Sequence, residues 1–390
     1  MRRDSARRKG ARRPTVRRIA AVAVVGFALP LTACSTSAAS GVGLTRDGCP
    51  ADIRIQTDDM PRVEWGFLYG LLDPDQIRIG VNSVSAPLLI DGEESGSQLT
   101  ILLGDPDDGV SANVELHDDP SILLGAVDTD IAILDARRYP TVGVFAPLLR
   151  DPRIAYWDVR VHPGIPTVQA IGGQATPDGT ALLPFVTTPG DPFSDYAVGA
   201  QFLTPEQILT DPPPSIQGLI DADGVPAQTG DLLTDPYRFE QLTESPESLA
   251  WQLIDDAGYE RDAGVLSARP QSLVRYPECL AVLVPVLQQA LVDYLDDPDE
   301  TTALVVELSA RLGDVEYGAA LAAAALELLH AEDIVGNGGN AAIGDIELGR
   351  LRDLFEIAVP AWKRAGVDVP KGVVPDDVVT NRFIDRTIGL

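Results

Sequence analysis

The feature that most limits how this chain can fold is an alternation of short β-type segments with candidate helices between about residues 50 and 190. The β-type segments are separated by Gly, Pro and Asp, and they cover residues 53–56, 98–103, 131–134, 141–145 and 182–187. Alternating strands and helices are typical of α/β domains, in which helices cover a sheet. The sequence therefore predicts an α/β fold.

The last third of the chain differs in kind. Residues 279–295, 303–330 and 346–365 have helical spacing and faces rich in Ala and Leu, so the chain is predicted to end in a helical layer. The chain has 390 residues, more than one hydrophobic core normally supports. Two lobes are expected.

The first residues predict export. Residues 1–18 hold nine Arg or Lys against one acid, Asp4, and an apolar run over residues 19–31 leads into Leu31-Thr32-Ala33-Cys34. The apolar run is much shorter than the roughly 20 residues of a membrane-spanning helix. We therefore expect residues 1–33 to be a lipoprotein signal peptide, Cys34 to be lipidated, and residues 34–49 to tether an extracytoplasmic protein to the cell membrane.

The charge balance excludes some partners. Residues 1–33 hold nine of the 30 basic residues and one of the 58 acidic residues, so the remaining chain has a net charge near −36. Such a chain is repelled by nucleic acid and by anionic lipid. Its 45% hydrophobic content favours a packed protein over a disordered one.

Two cysteines remain once Cys34 is assigned to the anchor. Cys49 and Cys279 are then on the oxidising side of the membrane, where they can form a disulfide. Two separate buried thiols are the alternative, since the sequence does not show whether the two Cα atoms lie close enough.

The sequence lacks the usual catalytic and metal-binding motifs. His117, His162 and His330 are far apart, and neither a G-x-S-x-G motif nor a P-loop occurs. Residues 105–109 (DPDDG) resemble a calcium loop, but the glycine is fifth rather than sixth, so we interpret them as an acidic turn. We expect no catalytic residue, no metal and no cofactor.

Three stretches carry candidate ligand-binding residues, because each follows a strand or begins a helix, where α/β proteins bind ligands. The alternative interpretations are a buried helix start for the first stretch and a plain capped helix for the second. The candidates are Glu64, Trp65 and Tyr69 in the first stretch, Thr188, Ser194 and Tyr196 in the second, and Asp231, Thr234 and Tyr237 in the third.

In order along the chain, these stretches resemble the type II periplasmic substrate-binding proteins, in the branch that binds nitrate, alkanesulfonates and the pyrimidine precursor of thiamine. The resemblance covers roughly residues 50–390. It rests on an E-x-G-x-x-Y element at Glu64 to Tyr69, VDTD at 127–130, FAPL at 145–148, YWD at 156–158, FSDYAVG at 193–199, GDLLTDPY at 230–237, QLIDDAGY at 252–259 and NRFIDRTIGL at 381–390.

The resemblance implies a two-lobed fold that binds a small solute between the lobes and releases it to the permease of an ABC importer. On that basis residues 50–150 and 265–390 form lobe one, residues 151–264 form lobe two, and the protein is a monomer without enzymatic activity. A related enzyme family that makes thiamine pyrimidine uses a cysteine cluster, which this chain lacks. A solute-sensing lipoprotein without a transporter is the other alternative.

The expected solute is a neutral or weakly cationic heteroaromatic compound. Arg62 and Arg238 are the basic residues in or beside the three stretches, and acidic residues surround them. Backbone N–H groups at a helix start can nevertheless bind a sulfonate, so that alternative stays open.

Overall fold

The computed structural model describes residues 43–104 and 111–390. The predicted signal peptide, the lipidation site at Cys34, most of the tether and the acidic turn at 105–109 lie outside the described residues. The fold consists of strands and helices that alternate along the chain, followed by a series of helices. An α/β fold with a helical C-terminal layer is therefore confirmed.

The strands form two separate sheets. In chain order they are β1 Asp52–Gln56, β2 Arg78–Ile79, β3 Ser83–Ile90, β4 Glu93–Leu102, β5 Leu124–Val127, β6 Val142–Phe145, β7 Arg153–Asp158, β8 Phe185–Val186, β9 Ile208–Leu209, β10 Ala227–Asp231, β11 Leu249–Leu253 and β12 Val265–Ala268. The central strands β5 and β12 are buried at every residue, as expected for strands covered on both faces.

The two sheets share one strand order over five strands. The first sheet runs β2-β3-β4-β1-β5-β12-β6, and the second sheet, read from the corresponding edge, runs β9-β8-β10-β7-β11. The five strands of the second sheet correspond in position to the last five strands of the first. In each sheet the strand that enters from the other sheet, β12 or β7, lies antiparallel between its two neighbours. We refer to the first sheet with its helices as lobe one and to the second as lobe two.

Two segments connect the sheets. The chain leaves lobe one after β6 and enters lobe two at β7, and it returns between β11 and β12. These two crossing segments, residues 146–152 and 254–264, lie side by side, because the side chain of Arg261 in one contacts Asp151 in the other at 2.6 Å. Strand ends, helix starts and both crossing segments therefore meet between the lobes.

The helices cover the sheets. They are α1 Gly66–Tyr69, α2 Ala112–Asp118, α3 Thr129–Leu134, α4 Pro192–Gly199, α5 Ile216–Asp221, α6 Asp235–Leu242, α7 Pro270–Arg275, α8 Pro277–Asp296, α9 Asp299–Leu312, α10 Ala319–Ala331, α11 Leu348–Ala365 and α12 Pro375–Val378. Among the described residues, α8 is the one helix long and apolar enough to cross a membrane by length and composition, and half of that stretch is buried inside the fold.

The helix α11 packs on the lobe opposite to the one that the sequence boundaries imply. The boundary at 265–390 places it in lobe one, but Trp362 Nε1 donates to Pro192 O of α4 at 2.8 Å and Arg364 Nε donates to Gly199 O at 2.7 Å. The segments on either side of α11 stay on lobe one, where Thr380 N donates to Gly143 O at 2.8 Å. The helix thus connects the two lobes.

Two element predictions are wrong. Residues 131–134 belong to α3 and not to a strand. Asp128 directly precedes this helix and Asp130 lies in its first turn, where acidic side chains stabilise the positive end of the helix dipole. Residues 303–330 form two helices rather than one, since Gly313 adopts φ 113° and ends α9.

A disulfide joins the start of lobe one to its helical layer. The sulfur atoms of Cys49 and Cys279 are 2.01 Å apart, and the bond links residues 230 positions apart in sequence. Cys279 is fully buried in the first turn of α8.

Candidate functional site

A cleft of about 500 Å³ lies between the two sheets. Residues of lobe one form one wall, residues of lobe two form the other, and the two crossing segments form the floor. Its lining is Asp58, Asp59, Arg62, Glu64, Trp65 and Asp128 from lobe one, Arg153, Thr188, Pro214, Thr229, Gly230, Asp231, Thr234, Asp235 and Arg238 from lobe two, and Leu148, Asp151, Pro152, Arg261, Ala263 and Gly264 from the crossing segments.

A larger cavity of about 700 Å³ lies elsewhere, on the outer side of lobe one between α8 and the turn that joins β3 to β4. Its walls come from one lobe and are mostly apolar, with Val282, Pro285 and Val286 of α8 among them. Ligand sites in α/β proteins lie where strand ends converge and polar groups point inward, so the cleft between the sheets is the better candidate.

Five of the nine predicted ligand-binding residues line this cleft. They are Glu64 and Trp65 on lobe one, and Thr188, Asp231 and Thr234 on lobe two. The structure therefore brings together residues that are more than 120 positions apart in sequence.

Trp65 forms part of the wall of lobe one and is 3% exposed. Its indole Nε1 donates to Asp58 Oδ1 at 2.9 Å, and its ring packs against Gly264 of the second crossing segment. Gly264 has φ 59°, and a Cβ atom there would lie 3.0 Å from the indole ring. The indole is thus held between Asp58 and the cleft floor, and only a small part of it borders the cleft.

The other four predicted residues lie outside the cleft lining. Tyr69 is buried behind the wall in α1, and Tyr237 faces Glu316 near the start of α10. Ser194 donates to Asp191 O at 2.8 Å within the first turn of α4. Tyr196 packs against the ring of Tyr259 at 5.0 Å in the core of lobe two. Helical periodicity turns these side chains away from the cleft. For Ser194 and Tyr196 this position agrees with the alternative interpretation of their stretch as a plain capped helix.

Several residues of the cleft were not predicted from the sequence. Asp58 and Asp59 follow β1, and Asp128 follows β5, so the rule that ligands bind beyond strand ends points to all three. Arg153 and Arg261 could not be found in this way, because Arg153 begins β7 and Arg261 lies within the second crossing segment.

Arg261 is the centre of a buried ion network on the cleft floor. The residue is 8% exposed, its Nε donates to Asp151 Oδ2 at 2.6 Å, and its Nη1 contacts Asp128 and Asp130. Burial by itself lowers the pKa of Arg261, but the three carboxylates raise it well above its usual value. In the same network burial would raise the pKa of Asp151, but Arg261 and Arg153 hold it below its usual value.

Three carboxyl groups on the cleft walls have pKa values that are raised rather than lowered. Burial raises the pKa of Asp231 to about 7, and the nearby charge of Asp235 adds to the effect. The pKa of Glu64 is raised well above its usual value, first by burial and then by the negative charge of Asp231 on the other wall. Asp58 keeps some surface open to the cleft, yet the surrounding protein limits its hydration and raises its pKa to about 6.

The described residues contain no group of three or more His, Cys, Asp and Glu side chains arranged to hold a metal ion. The histidines are used elsewhere: His117 Nε2 contacts Pro140 O at 3.0 Å, and His162 Nε2 contacts Val225 O at 2.8 Å. The cleft therefore offers carboxylates, guanidinium groups, hydroxyls and one indole as its recognition groups.

No protein-family model and no curated protein matches the sequence. Solved structures with a similar fold do exist. The alkanesulfonate-binding protein SsuA from Xanthomonas axonopodis pv. citri bound to MOPS is 14% identical, with a TM-score of 0.52 and coverage of 85% of this chain and 98% of that chain.

Two further structures have a comparable likeness. The CA3427 gene product of Candida albicans, described as having the generic periplasmic binding protein structural fold, is 13% identical with a TM-score of 0.51, covering 86% of this chain and 98% of that chain. A protein from Bordetella bronchiseptica RB50 is 14% identical with a TM-score of 0.50, covering 86% and 96%. At such identities the likeness shows the fold, which is the two-lobed type II periplasmic-binding-protein fold.

Proposed function

We propose that this protein is an extracytoplasmic, lipid-anchored solute-binding protein that captures a small molecule between its two lobes and delivers it to the permease of an ABC importer. The observation that carries the proposal is the cleft of about 500 Å³, whose walls come from both lobes and whose floor is formed by the segments joining them. A volume of this size is typical of small-molecule sites.

The proposed lobes follow the sequence boundaries with one change. Residues 50–150 and 265–390 make up lobe one and residues 151–264 make up lobe two, except that α11 packs on lobe two. Lobes joined by two short segments can close around a solute by hinge motion. We propose that the solute is bound and released without chemical change.

The proposed solute is a neutral or weakly cationic heteroaromatic compound. Trp65 lines one wall with the small exposed part of its indole, and Thr188 and Thr234 supply hydroxyl groups on the other. We further propose that residues 1–33 are removed on export, that Cys34 carries the lipid, and that the anchored protein acts as a monomer.

Ligand-induced stabilisation tests the binding proposal. A solute present at about a hundred times its dissociation constant stabilises the folded protein by about 2.7 kcal/mol, which gives a clear thermal shift. The purified protein is screened with pyrimidines, flavins, sulfonates and nitrate, and each solute that binds is incubated with the protein and analysed for products. A solute that binds and is recovered unchanged supports the proposal, whereas time-dependent product formation favours an enzyme.

Uptake measurements test the transport and anchoring proposals. Cells lacking the protein should lose uptake of the bound solute and regain it when the full chain is restored. The Cys34→Ala variant should appear in the soluble fraction, whereas the unchanged chain stays with the membrane. Normal uptake in the absence of the protein would favour a sensing role.

A further inference from the structure

The cleft has a marked excess of negative charge. Seven carboxyl groups and four guanidinium groups line it, which leaves three more acidic than basic side chains. Because the walls also restrict the access of water, charge in the cleft is less screened than charge on the protein surface. A solute that enters the cleft therefore meets an environment that favours positive charge.

The arginines of the cleft are already engaged by carboxylates. Arg62 contacts Asp314 at 2.8 Å, and Arg261 contacts Asp151 at 2.6 Å. Arg153 contacts Asp191, which is buried with 5% of its surface exposed. Arg238 Nη1 lies 3.9 Å from Asp235. An anionic solute would have to compete with these existing ion pairs.

Three carboxylates differ from the others. Within the part of the chain that the structure describes, Asp58, Glu64 and Asp231 form no ion pair with Lys, Arg or His. Asp58 accepts a hydrogen bond from the Trp65 indole, and Asp231 accepts one from the Leu233 amide at 2.6 Å. Carboxylates in a restricted site are costly unless a cation or hydrogen-bond donors accompany them.

Two unpartnered buried hydroxyls lie behind the cleft walls, one in each lobe. Tyr69 is 1% exposed and Tyr156 is 0% exposed, and neither hydroxyl has a hydrogen-bond partner among the described residues. The charges of Glu64 and its neighbours act on the Tyr69 hydroxyl, and the Tyr156 ring lies directly beneath Gly230 of the cleft wall. Neither hydroxyl lines the cleft, so the polar groups left for an occupant are the three carboxylates without an ion pair.

We propose that the solute carries a protonated nitrogen, in an amine, an amidine or a protonated ring, and that this nitrogen lies between Glu64 of lobe one and Asp231 of lobe two. The inference rests on the proposed function, because it requires that the cleft bind a solute. It narrows the solute class to cations and excludes the sulfonate held by the Xanthomonas protein.

Matched probes of equal size separate charge from shape. Benzamidine, benzamide and benzoate differ mainly in charge, and pyrimidine-5-carboxamidine with its carboxamide and carboxylate forms a second such series. Calorimetry should show that each amidine binds at least about tenfold more tightly than its amide, with no binding of the carboxylate. Tighter binding of a carboxylate or of a sulfonate overturns the inference and leaves the solute-binding function intact. Absence of binding by both series up to about 10 mM overturns the inference, and the wider solute screen then decides the proposed function separately.

Two isosteric variants identify the residues. Glu64→Gln and Asp231→Asn should each weaken benzamidine binding by at least about tenfold and change benzamide binding little, because each removes a charge and keeps the shape. Glu307→Gln, on the exposed face of α9 and outside the cleft, is the matched control and should leave both affinities unchanged. Equal weakening of both probes would show a loss of shape rather than of charge and would overturn the assignment.

A measurement on the unaltered protein tests the proposal even if both variants fail to fold. A cation between two carboxyl groups stabilises their ionised forms, so benzamidine binding near neutral pH should release protons. Calorimetry in two buffers of different ionisation enthalpy measures this release directly. Binding of benzamidine without proton release contradicts the proposed position of the nitrogen.

Discussion

Arg261 shows at the scale of one residue how the two crossing segments are held together. Its guanidinium group contacts Asp128, Asp130 and Asp151, and Asp130 and Asp151 are 0% and 1% exposed. A buried ion pair adds little stability relative to apolar residues of the same size, but removal of one partner leaves buried charge without compensation. The network thus fixes the geometry of the cleft floor.

Replacement of Arg261 by alanine should therefore be strongly destabilising. We expect Arg261→Ala to lower the free energy of unfolding by about 3–5 kcal/mol, measured by urea denaturation. Arg311→Ala is the control, because Arg311 forms an exposed pair with Glu307 and should cost at most about 0.5 kcal/mol. Similar losses in the two variants would mean that the buried network is not specially important.

Asp262, in the second crossing segment, should make stability depend on pH. The residue is 4% exposed, its Oδ2 has no hydrogen-bond partner among the described residues, and burial raises its pKa to about 7. Because the folded protein then binds this proton more tightly than the unfolded chain does, the contribution of Asp262 to stability falls as the pH rises from about 4 to about 7.

The Asp262→Asn variant tests this dependence. Asparagine keeps the shape without the charge, so the variant should gain stability relative to the unaltered protein at about pH 8 and gain much less at about pH 5. Chemical denaturation at both pH values measures the difference. Asp178→Asn is the control, since the pKa of that exposed carboxyl is lowered and its ionisation does not change over this range. A constant difference between Asp262→Asn and the unaltered protein would contradict the account.

Secondary-structure elements were predictable where a single periodicity was clear. Residues 53–56 lie in β1, residues 279–295 lie in α8, and residues 346–365 overlap α11, because each has an uninterrupted apolar pattern. Residues 131–134 were misassigned because four apolar residues fit either a strand or a helical turn. The packing partner of α11 could not be predicted, since periodicity gives the buried face of a helix and not the lobe that covers it.

The contact between α11 and α4 depends on a glycine. A Cβ atom at Gly199 would lie 1.9 Å from the carbonyl oxygen of Ala361, which is backbone and cannot move aside alone. The close approach also allows Trp362 to donate to Pro192 O at 2.8 Å. Gly199 therefore sets the distance between the two helices.

Gly199→Ala should separate α11 from α4 and lower stability by about 1–3 kcal/mol, as overpacking of a close contact usually does. Gly349→Ala is the matched control in α11 itself, where no atom lies within 4 Å of the added methyl group. That variant should be neutral or more stable by about 0.5–1 kcal/mol, because alanine favours a helix over glycine. Thermal and chemical denaturation of the two variants measure the effect. If Gly199→Ala were as stable as Gly349→Ala, the close contact between α11 and α4 would not contribute to stability.

At the scale of the whole molecule, the sequence predicted the two-lobed fold and five of the 21 residues that line the cleft. Glu64 and Asp231 were found because they lie at or after the end of a strand, whereas the position of Arg261 depends on the pairing of two segments 110 positions apart. Tyr196 lies outside the cleft lining, because its position at a helix start does not reveal that its ring turns toward Tyr259.

The disulfide should contribute to the stability of the whole fold. It closes a loop between residues 230 positions apart, and a bond that closes so long a loop stabilises a protein by about 2–5 kcal/mol through the unfolded chain. We expect the double variant Cys49→Ser/Cys279→Ser to unfold at a lower urea concentration than the oxidised protein. Addition of a reductant should lower the stability of the unaltered protein to that of the double variant and leave the double variant unchanged. Identical unfolding of the oxidised and reduced protein would contradict this expectation.

The position of the same bond also determines where mechanical tension enters the fold. A pull on the segment that precedes Cys49 passes through the disulfide into α8, which packs against α1, so the hydrogen bonds of β1 are not peeled apart one by one. Both cysteines belong to lobe one. A load applied from the N-terminal side therefore enters the fold through the core of lobe one.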